Sequence, residues 1–87
     1  IRLDLPIRAS LDSDVKLVMK LLLQASQGVP RVLSSPVPGT RLLRFGENAI
    51  EFELRIWIGD PQNGISQVKS DVYVRIWELF KEHNIKI

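Results

Sequence analysis

The stretch AIEFELRIWI, residues 49–58, carries the clearest structural signal in this chain of 87 residues. Large apolar residues occupy every second position, so they fall on one side of an extended chain. That side would consist of Ile50, Phe52, Leu54, Ile56 and Ile58, and the other of Glu51, Glu53, Arg55 and Trp57. A period of two sustained over this length predicts a β-strand with one face on a core.

Two further strands are predicted around this one. Residues 40–45 form the strand directly before it, because Gly46, Glu47 and Asn48 suit a three-residue hairpin turn in which Gly and Asn can take positive φ. The chain also starts with apolar residues at positions 1, 3, 5 and 7 that alternate with polar residues and Pro6. Because proline has no N–H, we expect this strand to be open or incompletely paired on one side.

A first helix is predicted between the opening strand and the hairpin, where the apolar spacing changes to three and four. Ser13 is the expected N-cap, the helix runs to about Gln27, and Gly28 ends it. Its expected core residues are Val15, Val18, Met19, Leu22 and Ala25.

A second helix is predicted after the hairpin, from Ile65 or Ser66 to His83, with Asn84 in the left-handed conformation that ends a helix. Its expected core residues are Ile65, Val68, Val72, Ile76, Leu79 and Phe80. Residues 85–87 would then open a last strand.

The element order β-α-β-β-α-(β) predicts an α+β fold. It is the order of a ferredoxin-like sandwich, with two helices on one face of an antiparallel sheet and the last strand truncated. The length fits one such domain, residues 1–87. Because the chain starts and stops inside strand patterns, we expect it to be a fragment of a longer protein.

Composition excludes several classes of protein. The apolar fraction of 45% and the charged fraction of 25% are those of an ordinary globular domain. The net charge of +2 is scattered along the chain, which does not indicate nucleic-acid binding. The absence of cysteine excludes disulfides and thiolate metal sites. No stretch has the length of a membrane span, and none resembles a signal peptide.

No residue pattern indicates catalysis, a cofactor or a metal. His83 is the only histidine, so it is expected to be a helix-end residue rather than part of a metal site or a catalytic triad. Glu51 and Glu53 stand beside Arg55 and are expected to form a solvated or interface face. The segment 59–64 lacks the spacing of a phosphate-binding loop. We therefore expect a protein that is not an enzyme.

Two other ferredoxin-like activities are disfavoured by charge. Trp57 could stack on an RNA base, but Glu51 and Glu53 on the same face would repel phosphate, so no nucleic-acid partner is expected. An acyl phosphatase needs a phosphate-binding loop after the first strand, and Asp12 and Asp14 make that loop acidic.

Five phrases of the sequence carry a family resemblance across nearly the whole chain. They are Leu-Asp-Ser-Asp at 11–14, Pro-Arg-Val-Leu at 30–33, Phe-Gly-Glu-Asn-Ala-Ile-Glu-Phe at 45–52, Leu-Arg-Ile-Trp-Ile at 54–58 and Ile-Trp-Glu-Leu-Phe-Lys-Glu at 76–82. In this order they resemble the C-terminal cytoplasmic α/β domain of small-conductance mechanosensitive ion channels, the MscS family.

The resemblance implies a soluble cytoplasmic domain in the vestibule wall of a homoheptamer. Such a channel lies in the cell inner membrane, is anchored by upstream helices, opens under membrane tension and releases ions and small osmolytes on hypo-osmotic shock. The alternative that the sequence leaves open is a stand-alone ligand-binding or regulatory ferredoxin-like domain.

Three aromatic residues are the candidates for a subunit interface. Tyr73 and Trp77 lie one helical turn apart beside the core positions of the second helix, and Trp57 lies on the polar face of its strand. Because aromatic residues are enriched at interfaces and the family forms a ring, we expect these three to meet a neighbouring copy. For Tyr73 and Trp77, the alternative is a place at the edge of the core.

Overall fold

The computed structural model describes residues 1–87 and contains three strands and two α-helices. The elements are β1 (Arg2–Ala9), α1 (Val15–Gln27), β2 (Gly39–Phe45), β3 (Ile50–Trp57) and α2 (Ser66–Glu82), with a 3₁₀ turn at Pro61–Asn63 before α2. The predicted order β-α-β-β-α is therefore confirmed.

The sheet is antiparallel and has the strand order β1-β3-β2. β3, which carries the strongest alternation in the sequence, is the central strand and pairs with a neighbour on each side. Its register places Trp57 opposite Arg2 and Ile50 opposite both Ala9 and Phe45. This topology fits the predicted ferredoxin-like arrangement and leaves β1 and β2 as the edge strands.

One hydrophobic core of 19 buried residues lies between the sheet and the helices. β1 and β3 bury every second residue, as their alternation predicts. The helices contribute Val18, Leu21, Leu22 and Ala25 from α1 and Val68, Val72, Ile76, Leu79 and Phe80 from α2. Both helices thus cover the same face of the sheet. Among the expected core residues, Val15, Met19 and Ile65 are only partly buried.

The start of α1 corrects one sequence prediction. The N-cap is Asp14, whose carboxylate accepts a hydrogen bond from the backbone N–H of Leu17 at 3.1 Å, and not Ser13. Ser13 instead belongs to the preceding turn, where its N–H donates to the carbonyl of Ser10 at 3.0 Å. The Ser13 hydroxyl lies 3.2 Å from the Ser10 hydroxyl within this turn, whereas the Asp14 carboxylate is the side chain that reaches a free N–H of the helix.

The hairpin turn also differs from its prediction. Four residues, 46–49, connect β2 to β3, and the N–H of Gly46 donates to the carbonyl of Ala49 at 2.8 Å. Neither Gly46 nor Asn48 has positive φ. Gly46 relieves crowding instead, because a Cβ there would lie 2.9 Å from Glu51 Oε2 and 3.0 Å from the Ala49 carbonyl oxygen, and a larger residue would require the Glu51 side chain to move.

The end of the chain lies beside the end of β1. α2 ends at Glu82, and Asn84 has a φ of 57°, the left-handed conformation that was predicted. Residues 85–87 form no regular strand, but the N–H of Ser10 donates to the carbonyl of Lys86 at 2.7 Å. One backbone hydrogen bond therefore joins residues 85–87 to the end of β1, where the truncated last strand was expected.

Candidate subunit interface

Tyr73 and Trp77 form one aromatic surface on the side of α2 that faces β1. Each directly follows a buried core residue of α2, Val72 or Ile76, which places both rings at the border of the core. Their exposed fractions are 37% for Tyr73 and 56% for Trp77. Both line a shallow apolar groove together with Pro6, Ile7, Arg8, Ile76 and Ile87. The structure therefore brings these two predicted interface residues together.

Tyr73 connects the helix to the edge of the sheet. Its hydroxyl donates a hydrogen bond to the backbone carbonyl of Pro6 at 3.0 Å. Partial burial raises the pKa of Tyr73 above its ordinary value of 10.0, because the phenolate would lose hydration there. The hydroxyl therefore stays protonated near neutral pH and keeps its donor role.

Trp77 is the largest exposed aromatic side chain of α2. The ammonium of Lys81, one turn further along the helix, lies 5.5 Å from the centre of its ring, within the range of a cation–π contact. A second groove beyond the ring is lined by Phe80, Ile85 and Ile87 among others. An exposed indole bordered by apolar residues is typical of a protein–protein contact.

Trp57 lies apart from the other two aromatic residues. It alternates along the chain with Ile56 and Ile58, both fully buried under the helices, so its side chain lies on the opposite, open face of the sheet. The structure does not bring Trp57 together with Tyr73 and Trp77. The role of Trp57 in an interface stays a prediction. Such an interface would use a surface other than the one formed by Tyr73 and Trp77.

The open face of the sheet is dominated by ion pairs. Their nitrogen–oxygen distances are 3.0 Å for Arg2–Asp4, 3.5 Å for Arg44–Glu51 and 2.7 Å for Arg55–Glu53. The hydrogen bond to Glu53 raises the pKa of Arg55. The glutamates expected to form a solvated or interface face thus have arginine partners on this face.

Two exposed apolar residues of β2 were missed at the sequence level. Leu43 and Phe45 on β2 are 51% and 66% exposed, although both are large apolar residues. The signal is the adjacent pair Leu42-Leu43, because strict alternation cannot bury two consecutive residues of a strand. In the structure, Leu42 lies opposite Phe52 and Arg44 lies opposite Glu51. Leu43, at the register irregularity between them, is the leucine of the pair that stays exposed.

A connection between two loops was also missed. Arg31 Nε and Nη2 donate to the two carboxylate oxygens of Asp60 at 3.0 and 3.1 Å, and Nη2 also donates to the Gly64 carbonyl at 2.8 Å. The hydrogen bond from Arg31 holds the pKa of Asp60 below its ordinary value. The sequence signal for this connection is the Pro-Arg-Val-Leu phrase that contains Arg31, and the phrase does not indicate Asp60 as the partner.

The side chains offer no metal-binding cluster of three or more histidine, cysteine, aspartate or glutamate residues. Neither helix has the length and apolarity to cross a membrane. Every buried side-chain nitrogen and oxygen has a hydrogen-bond partner. The outstanding surface features are therefore the exposed apolar groups on α2 and β2.

Two helices on one face of an antiparallel sheet with the order β1-β3-β2 define a small α+β domain of the ferredoxin-like class. The chain belongs to the MscS family of mechanosensitive ion channels, since residues 3–87 match the family model described as "Mechanosensitive ion channel MscS, C-terminal". It is also 37% identical over 86 residues to an uncharacterized MscS family protein of Haemophilus influenzae. That match covers 99% of this chain but 8% of the relative. The family predicted from the five phrases is thus confirmed.

Proposed function

We propose that this chain is the cytoplasmic C-terminal domain of a mechanosensitive channel and forms part of the vestibule wall of a homoheptamer. The observation that carries the proposal is the match of residues 3–87 to the C-terminal domain of the MscS family. We further propose that residues 1–87 are one domain of a longer protein of the cell inner membrane. The span of only 8% of a relative's length supports this.

In the proposed function, the channel opens under membrane tension and releases ions and small osmolytes on hypo-osmotic shock. The work of this domain is packing between subunits, so it needs no catalytic group and no cofactor. The exposed rings of Tyr73 and Trp77 support such a role, because large apolar groups at a surface are stabilised by a protein partner.

Trp57 enters the proposal as part of a second contact. In a ring each subunit has two neighbours and uses two different surfaces to meet them. Tyr73 and Trp77 lie beside the β1 edge, whereas Trp57 lies on the open face, so one copy can present both surfaces at once.

The test of function uses the full-length parent gene in a bacterial strain that lacks its own mechanosensitive channels. We expect expression to protect cells from osmotic downshock and to give tension-gated currents in membrane patches. A stand-alone ligand-binding or regulatory domain would produce neither result. Cells that express the full-length protein in the membrane and show no protection and no current would overturn the proposal.

The interface prediction is tested with Trp77→Ala in the full-length protein, alone and with Trp57→Ala. We expect fewer high-order species after chemical cross-linking, because the exposed indole loses its contact with the neighbour. The isolated domain should keep its unfolding midpoint, since the Trp77 ring lies mainly outside the core.

The matched control is Gln24→Ala, which changes an exposed residue of the other helix. It should leave the cross-linked pattern unchanged. If the double tryptophan variant cross-links as the parent does, these residues do not hold the subunits together.

A further inference from the structure

The fold brings together on one surface the positive charge that the sequence spreads along the chain. β1 and β3 turn every second residue away from the helices, and Arg44 of β2 joins this open face through its ion pair with Glu51. The open face carries only the three carboxylates that form its ion pairs, and five arginines, which are Arg2, Arg8, Arg41, Arg44 and Arg55. The difference equals the net charge of +2 of the whole chain, so the remaining surface is neutral overall.

Every basic residue of the open face is an arginine. The five lysines of the chain lie on the two helices and after α2, and none lies on a strand. Arginine is enriched at protein–protein interfaces, whereas lysine is depleted there. A guanidinium is more weakly hydrated than an ammonium and can bind a carboxylate through two parallel N–H groups. The open face therefore has the basic residues of a binding surface.

The surplus charge lies on Arg8 and Arg41. Each of the three carboxylates forms an ion pair with one of the other arginines of the face. Arg8 and Arg41 are exposed and form no ion pair, and Arg41 donates only to the carbonyl of the adjacent Thr40 at 2.9 Å. These two guanidinium groups are therefore free to bind an anion.

Arg8 and Arg41 lie on opposite edges of the sheet, with two carboxylates between them. Arg8 is opposite Glu51 on the central strand, and Arg41 is opposite Glu53. With neighbouring strands about 4.8 Å apart and about 3.4 Å per residue along a strand, the Cα atoms of the two arginines are about 12 Å apart. An anion that reaches both must cross β3, where the glutamates repel further negative charge. The pattern therefore fits two separate carboxylates better than the continuous charge of a polyanion.

We propose that Arg8 and Arg41 bind an acidic segment of a partner protein, which carries two carboxylates about 12 Å apart, on the open face of the sheet. The choice of partner rests on charge complementarity. A second copy of this chain offers no surplus negative charge, because its open face is positive and its other surfaces are neutral overall. A nucleic acid has a phosphate at every nucleotide and would bring negative charge to Glu51 and Glu53.

This site is separate from the contact proposed for Trp57. Trp57 lies opposite Arg2, and Arg2 is about 20 Å from Arg8 along β1. The inference goes beyond the proposed function and does not rest on it, because it concerns the surface charge of the domain alone.

Titration of the isotope-labelled 87-residue chain with a short acidic peptide tests the proposal by NMR. The probe is Glu-Gly-Ser-Gly-Glu with both ends capped, whose carboxylates are about 13 Å apart in an extended chain. At about 0.1 M salt, where exposed charges more than about 10 Å apart are largely screened, we expect the amide signals of Arg8 and Arg41 to shift. Those of Lys16 and Lys20 on α1 should stay in place. No shift at the two arginines, or equal shifts at all four residues, would overturn the proposal.

A matched pair of variants separates this site from net charge. Arg8→Gln combined with Arg41→Gln should lower the apparent association constant of the peptide about threefold to tenfold, since each exposed ion pair contributes modestly. Lys16→Gln combined with Lys20→Gln removes the same charge from exposed positions of α1 and should lower it by less than about twofold. Equal losses from the two double variants would show that only net charge matters, which contradicts the proposal.

Two further measurements distinguish the other occupants. The trinucleotide of thymidine without terminal phosphates has the same charge as the peptide and should shift the signals of Arg8 and Arg41 less. A larger shift would indicate a nucleic-acid partner and overturn the proposal. Sedimentation should give equal masses for the parent and the double arginine variant, because a self-association lost in the variant would identify a second copy as the occupant. Both double variants keep Trp57 and Trp77, so cross-linking of the full-length protein tests the subunit interface separately.

Discussion

Arg31 joins two loops that lie 29 residues apart in the chain. Its guanidinium forms a bidentate pair with Asp60 and also reaches the carbonyls of Asp60 and Gly64 at 3.0 and 2.8 Å. Planar bidentate geometry makes such a pair more directional than a lysine contact. Gly64 has a φ of 98°, which favours glycine at the acceptor position. One side chain therefore holds the segment after α1 to the loop that leads into α2.

The Arg31–Asp60 pair predicts a specific acid dependence. The pair lowers the pKa of Asp60 below 3.8 in the folded chain, so the unfolded chain binds more protons as the pH falls through this range. Stability from the pair is present above about pH 4 and is lost below it. We expect the Arg31→Ala variant to unfold at a lower urea concentration than the parent near pH 7. On acidification, its free energy of unfolding should fall by less than that of the parent.

Two variants sharpen this measurement. Arg31→Lys keeps the charge without the bidentate geometry and should lie between the parent and Arg31→Ala. Arg41→Ala removes an arginine whose side chain donates only to the carbonyl of Thr40, and it should leave the acid dependence unchanged. If the stability of Arg31→Ala depends on pH as that of the parent does, the Arg31–Asp60 pair does not cause the acid dependence.

At the scale of the elements, α1 begins where a side chain satisfies its free N–H groups. Asp14 accepts from the N–H of Leu17, and the negative charge also lies favourably at the positive end of the helix. At the other end, the N–H of Gly28 donates to the carbonyl of Ala25 at 3.2 Å. The loop before α1 decides the first residue of the helix, because Ser10 and Ser13 are bonded to each other within it.

Substitutions at the two candidate caps distinguish them. We expect Asp14→Ala to lower the free energy of unfolding by about 1 kcal/mol, because it leaves the N–H of Leu17 without an acceptor. Ser13→Ala should lower the free energy of unfolding by less than Asp14→Ala does. Asp14→Asn keeps a side-chain acceptor and should retain most of the stability. Chemical denaturation measures all three, and a larger loss from Ser13→Ala would restore the N-cap predicted from sequence.

At the scale of the whole molecule, every element except β2 contributes fully buried side chains to one core. β2 adds only the partly buried Leu42, while it exposes Leu43 and Phe45. The chain has a radius of gyration of 12.6 Å, and Phe52 lies fully buried on its central strand. Stability thus depends mainly on β1, β3 and the two helices, which leaves β2 as the peripheral strand.

Two phenylalanines, one on β3 and one on β2, provide a matched test of how much each strand contributes to the stability of the core. Phe52→Ala should lower the free energy of unfolding by about 3–5 kcal/mol, because it opens a cavity in the core. For a domain of this size, that is a large share of a total stability of roughly 4–13 kcal/mol. Phe45→Ala, on the exposed strand, should change it by less than about 0.5 kcal/mol. Denaturant unfolding measures both, and similar losses would contradict a core centred on β3.

The sequence by itself determined the element order, the buried faces of β1 and β3 and the core residues of α2. These follow from spacings of two, three and four residues, which depend only on local backbone geometry. It also determined the family, through five phrases that are continuous in the chain.

Only the tertiary structure decided which distant residues meet. Tyr73 reaches Pro6 across 67 positions, and Arg31 reaches Asp60 across 29. Trp57, grouped with Tyr73 and Trp77 by residue type alone, lies on the opposite face of the sheet. Such contacts depend on strand order and register, which join segments that no local spacing connects. The candidate interface could therefore be predicted as a set of residue types, but its division into two surfaces required the fold.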